Sequence, residues 1–467
     1  MRITRREFLR RSGCGIGSAA ALAAAVERFS LFSAMAQAPN YKALVCVFLG
    51  GGNDGNNMVI PADTTGYNTY SGVRSTSGLA IAQGSLLPIT PRSIGVPFGL
   101  HPSLAAIHPL FDSGNLAVVC NVGPLVEPLT RETYVANVTP RPYQLFSHSD
   151  QIAQWQTSVS TGQAATGWGG RIADTFGILP ALPMVTALAG GAFTRGQITS
   201  PLSVAAAPTA LNQLLALSGF ATGNQANAAT DAVRRQAMDL LRTVDRESPL
   251  VRAHQDVMGK AVELAASLNT DPVLATMFPN TTLGNQLKQI AKLIRFNQTS
   301  SAPLSRQIFF CSLGGFDTHQ NQVNTQSTLL LQVGQAMKAF YDSTVEMNVA
   351  ADVTTFTLSD FGRTFQPAGQ GAIVGSDHAW GNHHLVMGGS VFGGDFYGIA
   401  GRNGTVFPTL QLSGPDDTDS RGRWIPTASV DQYAATFARW FDVDPGQINA
   451  IFPQLSHFSP GHLGFLP

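Results

Sequence analysis

Charge is scarce in this sequence of 467 residues. Asp, Glu, Lys and Arg together make up 12% of it, about half the usual share, and no basic stripe stands out. The electrostatic footprint of a nucleic-acid binder is therefore missing. Long apolar runs are also missing beyond the N-terminal stretch, so no later segment resembles the roughly 20 apolar residues of a membrane span. Cysteine is rarer still, at four residues. Cys46, Cys120 and Cys311 lie in or at the end of apolar runs and read as buried thiols rather than disulfide partners.

What is present begins with Thr4-Arg5-Arg6-Glu7-Phe8-Leu9-Arg10, a paired arginine, a spacer, an apolar pair and a basic residue. A weakly apolar Ala- and Gly-rich stretch follows, Gly13 to Val26, and then Ala34-Met35-Ala36. This order predicts a twin-arginine signal over residues 1–36, cleaved after Ala36. It implies a bacterial protein that folds in the cytoplasm, engages the twin-arginine translocase, and ends in the periplasm or outside the cell. That route often carries proteins folded around a cofactor or metal. Residues 1–36 hold six of the 29 basic and two of the 29 acidic residues, leaving 23 against 27 in the remainder.

Apolar runs at 41–50, 116–122, 183–188, 307–313, 353–358 and 384–388 read as buried strands. Helical patterns lie between them, at 103–113, 150–158, 168–176, 327–348 and 430–442. Continuous apolar strands alternating with helices predict an α/β fold, a mainly parallel central sheet with helices on both faces. Residues 37–467 read as one domain, with a helical insertion near 206–297 and long loops at 62–100 and 400–428.

Chemistry concentrates at the ends of the strands. The first strand runs into Gly51-Gly52-Asn53-Asp54-Gly55-Asn56-Asn57, another into Gly314-Gly315-Phe316-Asp317-Thr318-His319, and a third into Ser359-Asp360-Phe361-Gly362-Arg363-Thr364. A fourth cluster, with Asp377, His378, His383 and His384, leads into the last strand. Ligands of parallel α/β sheets bind beyond the carboxyl ends of strands, and carboxylates with imidazoles there make a site for a divalent metal such as zinc or manganese. Gly50, Gly52 and Gly55 match a dinucleotide fingerprint, but the helix that reading needs has a poor start at Asn56 to Pro61. Ser147 precedes a predicted helix and is either a nucleophile or, with Asp150, an N-cap. His148 is a metal ligand, a general acid or a loop residue. Arg363 binds an anionic substrate oxygen or pairs with a structural carboxylate.

The motifs Gly-Gly-Asn-Asp-Gly-Asn-Asn, Ser-His-Ser-Asp-Gln, Gly-Gly-Phe-Asp-Thr-His, Ser-Asp-Phe-Gly-Arg-Thr and Asp-His-x-x-Gly, in this order, resemble the exported bacterial family called domain of unknown function 1501. The resemblance covers roughly residues 40–460 and implies an alkaline phosphatase-like fold of the alkaline phosphatase/sulfatase superfamily. It implies metal ligands at Asp54, Asp317, Asp360 and His378, with Ser147 as nucleophile; His319 and Asp377 join the candidate metal ligands, and His148 and Arg363 the candidate catalytic groups, from their place in the same polar clusters. Two departures stand out. Phe361 stands where the superfamily's Asp-His pair has its imidazole, and His319 comes two residues after Asp317 instead of four; His148, His383 or His384 would have to substitute. A sulfatase signature for formylglycine formation is absent. The expectation is an exported metal-dependent hydrolase of phosphate- or sulfate-type esters of small molecules or carbohydrates. Its rival is a non-catalytic protein binding carbohydrate or the cell surface.

Overall fold

The computed structural model describes residues 40–177, 183–214, 228–244, 247–268 and 270–467. The predicted signal at 1–36 lies outside the described residues. Nine described strands form one sheet: β1 (Lys42–Leu49), β2 (Leu116–Gly123), β3 (Val185–Ala187), β4 (Leu202–Ser203), β5 (Arg306–Leu313), β6 (Val353–Ser359), β7 (Asn382–Gly388), β8 (Phe396–Tyr397) and β9 (Ala428–Ser429). Their order is β8-β2-β7-β6-β1-β5-β3-β4, with β9 also on β2. Every pairing is parallel except those of β7, which runs antiparallel to both β2 and β6.

The all-apolar strands are explained by burial on both faces. Along β1, Val45, Val47 and Leu49 join a core with helices α3 (Thr282–Thr299) and α4 (Gln322–Glu346). Leu44, Cys46 and Phe48 face the opposite core, built on α1 (His148–Thr157), α2 (Trp168–Thr175) and α5 (Val430–Trp440). There the ring of Trp168 stacks on Phe356 and Phe437, with centroids 5.6 and 6.3 Å away; burying each such ring contributes roughly 2–3 kcal/mol. Cys46, Cys120 and Cys311 are buried free thiols.

Register places the chemistry. Leu49 pairs with Leu313 on one side and Ser359 on the other, so β1, β5 and β6 end at one edge. Because β7 is reversed, its start comes to that same edge, where Asn382 pairs with Val122 near the end of β2. Four polar clusters and the segment leading to α1 therefore meet above one end of the sheet.

Three expectations change. The 103–113 helix is broken into a short 3-10 turn at Pro102–Leu104 and a helix at His108–Asp112, with Pro109 setting its first turn. Within the loop predicted at 62–100, Asp63 caps an unforeseen helix at Thr64–Arg74. The segment read as an insertion divides: Leu240, Leu241 and Val244 are exposed, whereas Leu287, Ile290 and Leu293 on α3 are buried in the main core.

Asp431, at the start of α5, is fully buried, and burial pushes its carboxyl up to about 7 despite nearby Ser158 and Arg171. The unfolded chain loses that proton near pH 3.9. The native state thus binds the proton more tightly, and the cost of ionising Asp431 is absent below about pH 4 and full above about pH 7. Buried His383 and His384, pushed down to about 3, act in the other direction, lowering stability as pH falls from about 6.5 to 3. Asp431→Asn should therefore raise the thermal midpoint at pH 8 by a few degrees, roughly 1–4 kcal/mol, and the advantage should vanish near pH 4. Equal midpoints at pH 8 would refute the assignment.

Candidate metal centre

Among the described residues, one group of side chains is close enough to share a metal: His148, Asp317 and His378, whose ligand atoms lie within 4.8 Å of one another. His319 adjoins it. Asp317 Oδ1 lies 3.0 Å from His319 Nε2 and 3.5 Å from Nε2 of both His148 and His378. His378 Nε2 is 3.1 Å from His148 Nε2 and 3.0 Å from His319 Nε2. Tetrahedral ligands at about 2.0–2.1 Å from zinc are separated by about 3.3 Å, so the spacing of His148, Asp317 and His378 suits one ion, with His319 adjoining His378 and Asp317 outside that group.

The outer hydrogen bonds decide what those nitrogens offer. His378 Nδ1 lies 2.8 Å from the carbonyl of Phe146, which can only accept, so Nδ1 carries the proton. His148 Nδ1 is 2.7 Å from Asp360 Oδ2, and His319 Nδ1 is 3.2 Å from Asp377 Oδ1. Ionised carboxylates likewise accept, which assigns protons to both Nδ1 atoms. In the neutral rings, all three Nε2 lone pairs then face the carboxylate oxygen of Asp317. The Arg363 guanidinium, which donates to Asp317 Oδ1 and lies 3.5 Å from His319 Nε2, meets part of this negative potential; a cation among His148, His378 and Asp317 would meet the rest. Outer-shell acceptors on Nδ1 are also how metal-binding imidazoles are commonly held.

Local structure explains the convergence. His148 is the first residue of α1. Phe146 before it adopts φ +70°, uncommon for a large side chain and of order 1–3 kcal/mol in cost; this turn aims its carbonyl at His378. Gly51, at φ +112°, passes so close to Asp317 that a Cβ would lie 2.3 Å from its backbone nitrogen, so only glycine fits. Its N–H donates to Asp360 Oδ1 at 2.9 Å. Phe361 is a wall, not a gap: its ring lies 4.7 Å from those of His148 and His378. The centre opens to solvent on the other side, where Asp317 is 47% and His319 43% exposed.

Charge follows this layout. Partial burial works against ionisation of Asp317, but the hydrogen bond and charge of Arg363, with His319 and His148, hold its carboxyl below the usual value. For Asp377, Arg421 and His319 likewise outweigh burial. The imidazolium of His378 is disfavoured first by burial and then by its cationic neighbours, although the Phe146 carbonyl opposes this.

Several expected roles are therefore redistributed. Asp317, His319 and His378 lie together, and the His148 ring stands beside His378 and Phe361. Asp360 and Asp377 stand one layer out, orienting rings. Asp54 does not join them: fully buried, it pairs with Arg74 at 2.6 Å and accepts from Gln322 Nε2 at 2.5 Å and from the N–H and Nδ2 of Asn56 at 3.1 Å. Arg363 is not an open anion site, since its guanidinium is fully buried and donates to backbone carbonyls. His383 stacks on Phe407, and His384 lies between Trp155 and Tyr433, both away from the cluster. Ser147 is the N-cap by position, but its hydroxyl caps no backbone N–H; it donates to Asp150 Oδ2 at 2.6 Å. Sequence reasoning missed Arg74 and Arg421, which sit in segments read as Gly- and Ser-rich loops.

Residues 41–407 match the family described as Protein of unknown function (DUF1501). The chain belongs to this family. No curated protein matches it. Among solved structures, it is similar to a TAB5 alkaline phosphatase variant with Mg bound in the M3 site, at 9% identity and TM-score 0.28, covering 75% of this chain and 91% of that one. The alkaline phosphatase from the Antarctic bacterium TAB5 gives 9% identity and 0.26 over the same shares. A 2-O GAG sulfatase gives 8% identity and 0.29, covering 89% of this chain and 74% of that one. Likeness this distant brings no activity to this chain.

Two variants separate ligand from scaffold. His148→Ala with His378→Ala should abolish metal binding and shift the thermal midpoint of the metal-free protein little. Asp54→Asn should keep the metal but lower stability by roughly 3–5 kcal/mol, because Arg74 is left buried without its partner. Elemental analysis and thermal melts check both; loss of metal in Asp54→Asn without destabilisation would reverse the assignment.

Proposed function

We propose that this DUF1501 protein is an exported hydrolase of phosphate- or sulfate-type esters, working with one divalent metal at His148, His319, His378 and Asp317. The observation that carries the reading is the convergence of ligand atoms of His148, Asp317 and His378 within 4.8 Å of one another, with His319 adjoining and Ser147 next to His148 in the chain. Three nitrogens and one oxygen favour zinc over manganese, which prefers oxygen-rich sites. Bound there, zinc supplies Lewis acidity toward an ester oxygen and the neighbouring hydroxyl.

The protein's own groups do the rest. Ser147 stands at the N-terminus of α1, where free backbone N–H groups favour developing negative charge. Its hydroxyl is free of a capping role and already donates to Asp150, which is placed to take the proton as the oxygen attacks phosphorus or sulfur. Phe361 excludes water from one side of the imidazoles. Asp360 and Asp377 keep the rings from turning. The N-terminal motif supports export by the twin-arginine translocase, a route suited to a protein whose centre is assembled from distant strands before transport. Among the described residues, no helix is long and apolar enough to cross a membrane.

Zinc-loaded protein should hydrolyse an aryl phosphate or sulfate ester and lose that activity on chelation, regaining it with zinc. Ser147→Ala should abolish turnover while retaining metal, and Asp150→Asn should reduce kcat by roughly 10²–10⁴-fold. Activity that survives chelation, or full activity in Ser147→Ala, would defeat the mechanism.

A further inference from the structure

The groups around the centre carry a definite charge, and that charge discriminates between esters. Three carboxylates touch the ligating rings: Asp317, Asp360 and Asp377. Two guanidinium groups touch those carboxylates, Arg363 on Asp317 and Arg421 on Asp377. One negative charge is left over. The next pairs outward are internally balanced, Asp54 with Arg74 at 2.6 Å and Asp419 with Arg423 at 3.3 Å. Asp150, hydrogen-bonded to Ser147, adds a negative charge at the mouth.

A single divalent ion therefore leaves at most one net positive charge for a substrate to meet. Among the described residues no second ligand group stands beside the first, and each oxygen of Asp54 already accepts from Arg74, and from Gln322 or Asn56 besides. The guanidinium of Arg74 is itself held by the carbonyls of Thr364 and Phe365 and by Asn57. A buried cation fixed in this way keeps the Asp54 carboxylate fully partnered inside the protein, whereas Asp317, though also paired with Arg363, is half exposed toward the imidazoles.

We infer that the centre holds one metal and selects monoanionic tetrahedral esters, meaning sulfate monoesters or phosphate diesters, over dianionic phosphate monoesters. This rests on the hydrolase reading above. In the reaction the ester O–S or O–P bond breaks; water delivers a hydroxyl to sulfur or phosphorus and a proton to the leaving alcohol. The three carboxylates, two guanidinium groups and one divalent ion sum to one positive charge before Asp150 is counted, which a monoanion matches and a dianion exceeds. A dianion brings a second negative charge that exceeds the positive charge of the loaded site, close to Asp317, and like-charge juxtaposition of this kind is how sites reject partners.

The test uses wild-type exported protein loaded with zinc, its zinc content measured on the assayed sample. p-Nitrophenyl sulfate, methyl p-nitrophenyl phosphate and p-nitrophenyl phosphate are compared at pH 8, where the last is a dianion, its second pKa being about 6. The expected result is one zinc per chain and a kcat/KM for at least one monoanionic ester about tenfold or more above that for p-nitrophenyl phosphate; which monoanion leads separates sulfatase from diesterase. Preference for p-nitrophenyl phosphate, or two zinc ions per chain, overturns this inference and leaves the hydrolase reading standing. Absence of bound zinc, or zinc without hydrolysis of any of the three, overturns both.

Discussion

Arg363 donates to the carbonyls of Gly52 and Ser376 at 2.9 Å and to those of Gly51 and Phe316 at 2.5 and 3.2 Å. Those residues belong to the turn after β1, the turn after β5 and the segment before β7, and Arg363 itself lies beyond β6. One buried guanidinium thus ties together the four loops that the sheet brings to its edge. A charge buried this completely is tolerated only where its donors are used, and here they are. Without this brace, four Gly-rich turns would have no common reason to hold one geometry, and the imidazoles would not share a focus.

The centre is built in two layers of opposite chemistry. Outside, acceptors receive Nδ1 protons: Asp360, itself held by Gly51 N–H, Asp377 held by Arg421, and the Phe146 carbonyl. Inside, the same rings are left with lone pairs, and Asp317 completes the set. The outer layer orients the inner one, so that Asp360 and Asp377 hold the rings while leaving Nε2 of each free to bind a cation.

Much of this was legible in the sequence. Strands buried on both faces announce themselves as unbroken apolar runs such as 42–49, and the polar clusters follow directly at their ends. The convergence of Asp317 and His319 with Asp360 follows from parallel topology, whereas His378 reaches the same edge only because β7 runs antiparallel. The division of labour among carboxylates was not legible, because it depends on partners far away in the chain. Asp54 resembles a ligand until Arg74, at the end of a Gly- and Ser-containing helix, claims it. The His148 ring stands beside His378 and Phe361 only because the turn at Phe146 adopts a left-handed backbone that no local pattern signals. His383 and His384 sit in a polar-looking cluster, yet strand alternation and the neighbouring aromatic rings draw them into the core.

The most direct measurement is anomalous diffraction at the zinc edge from crystals of protein purified after native export. The geometry predicts one strong peak, about 2.0–2.2 Å from Nε2 of His148, His319 and His378 and from an oxygen of Asp317, with none beside Asp54. A well-ordered centre without a peak, or a peak bound by Asp54 with Arg74 displaced, would contradict it.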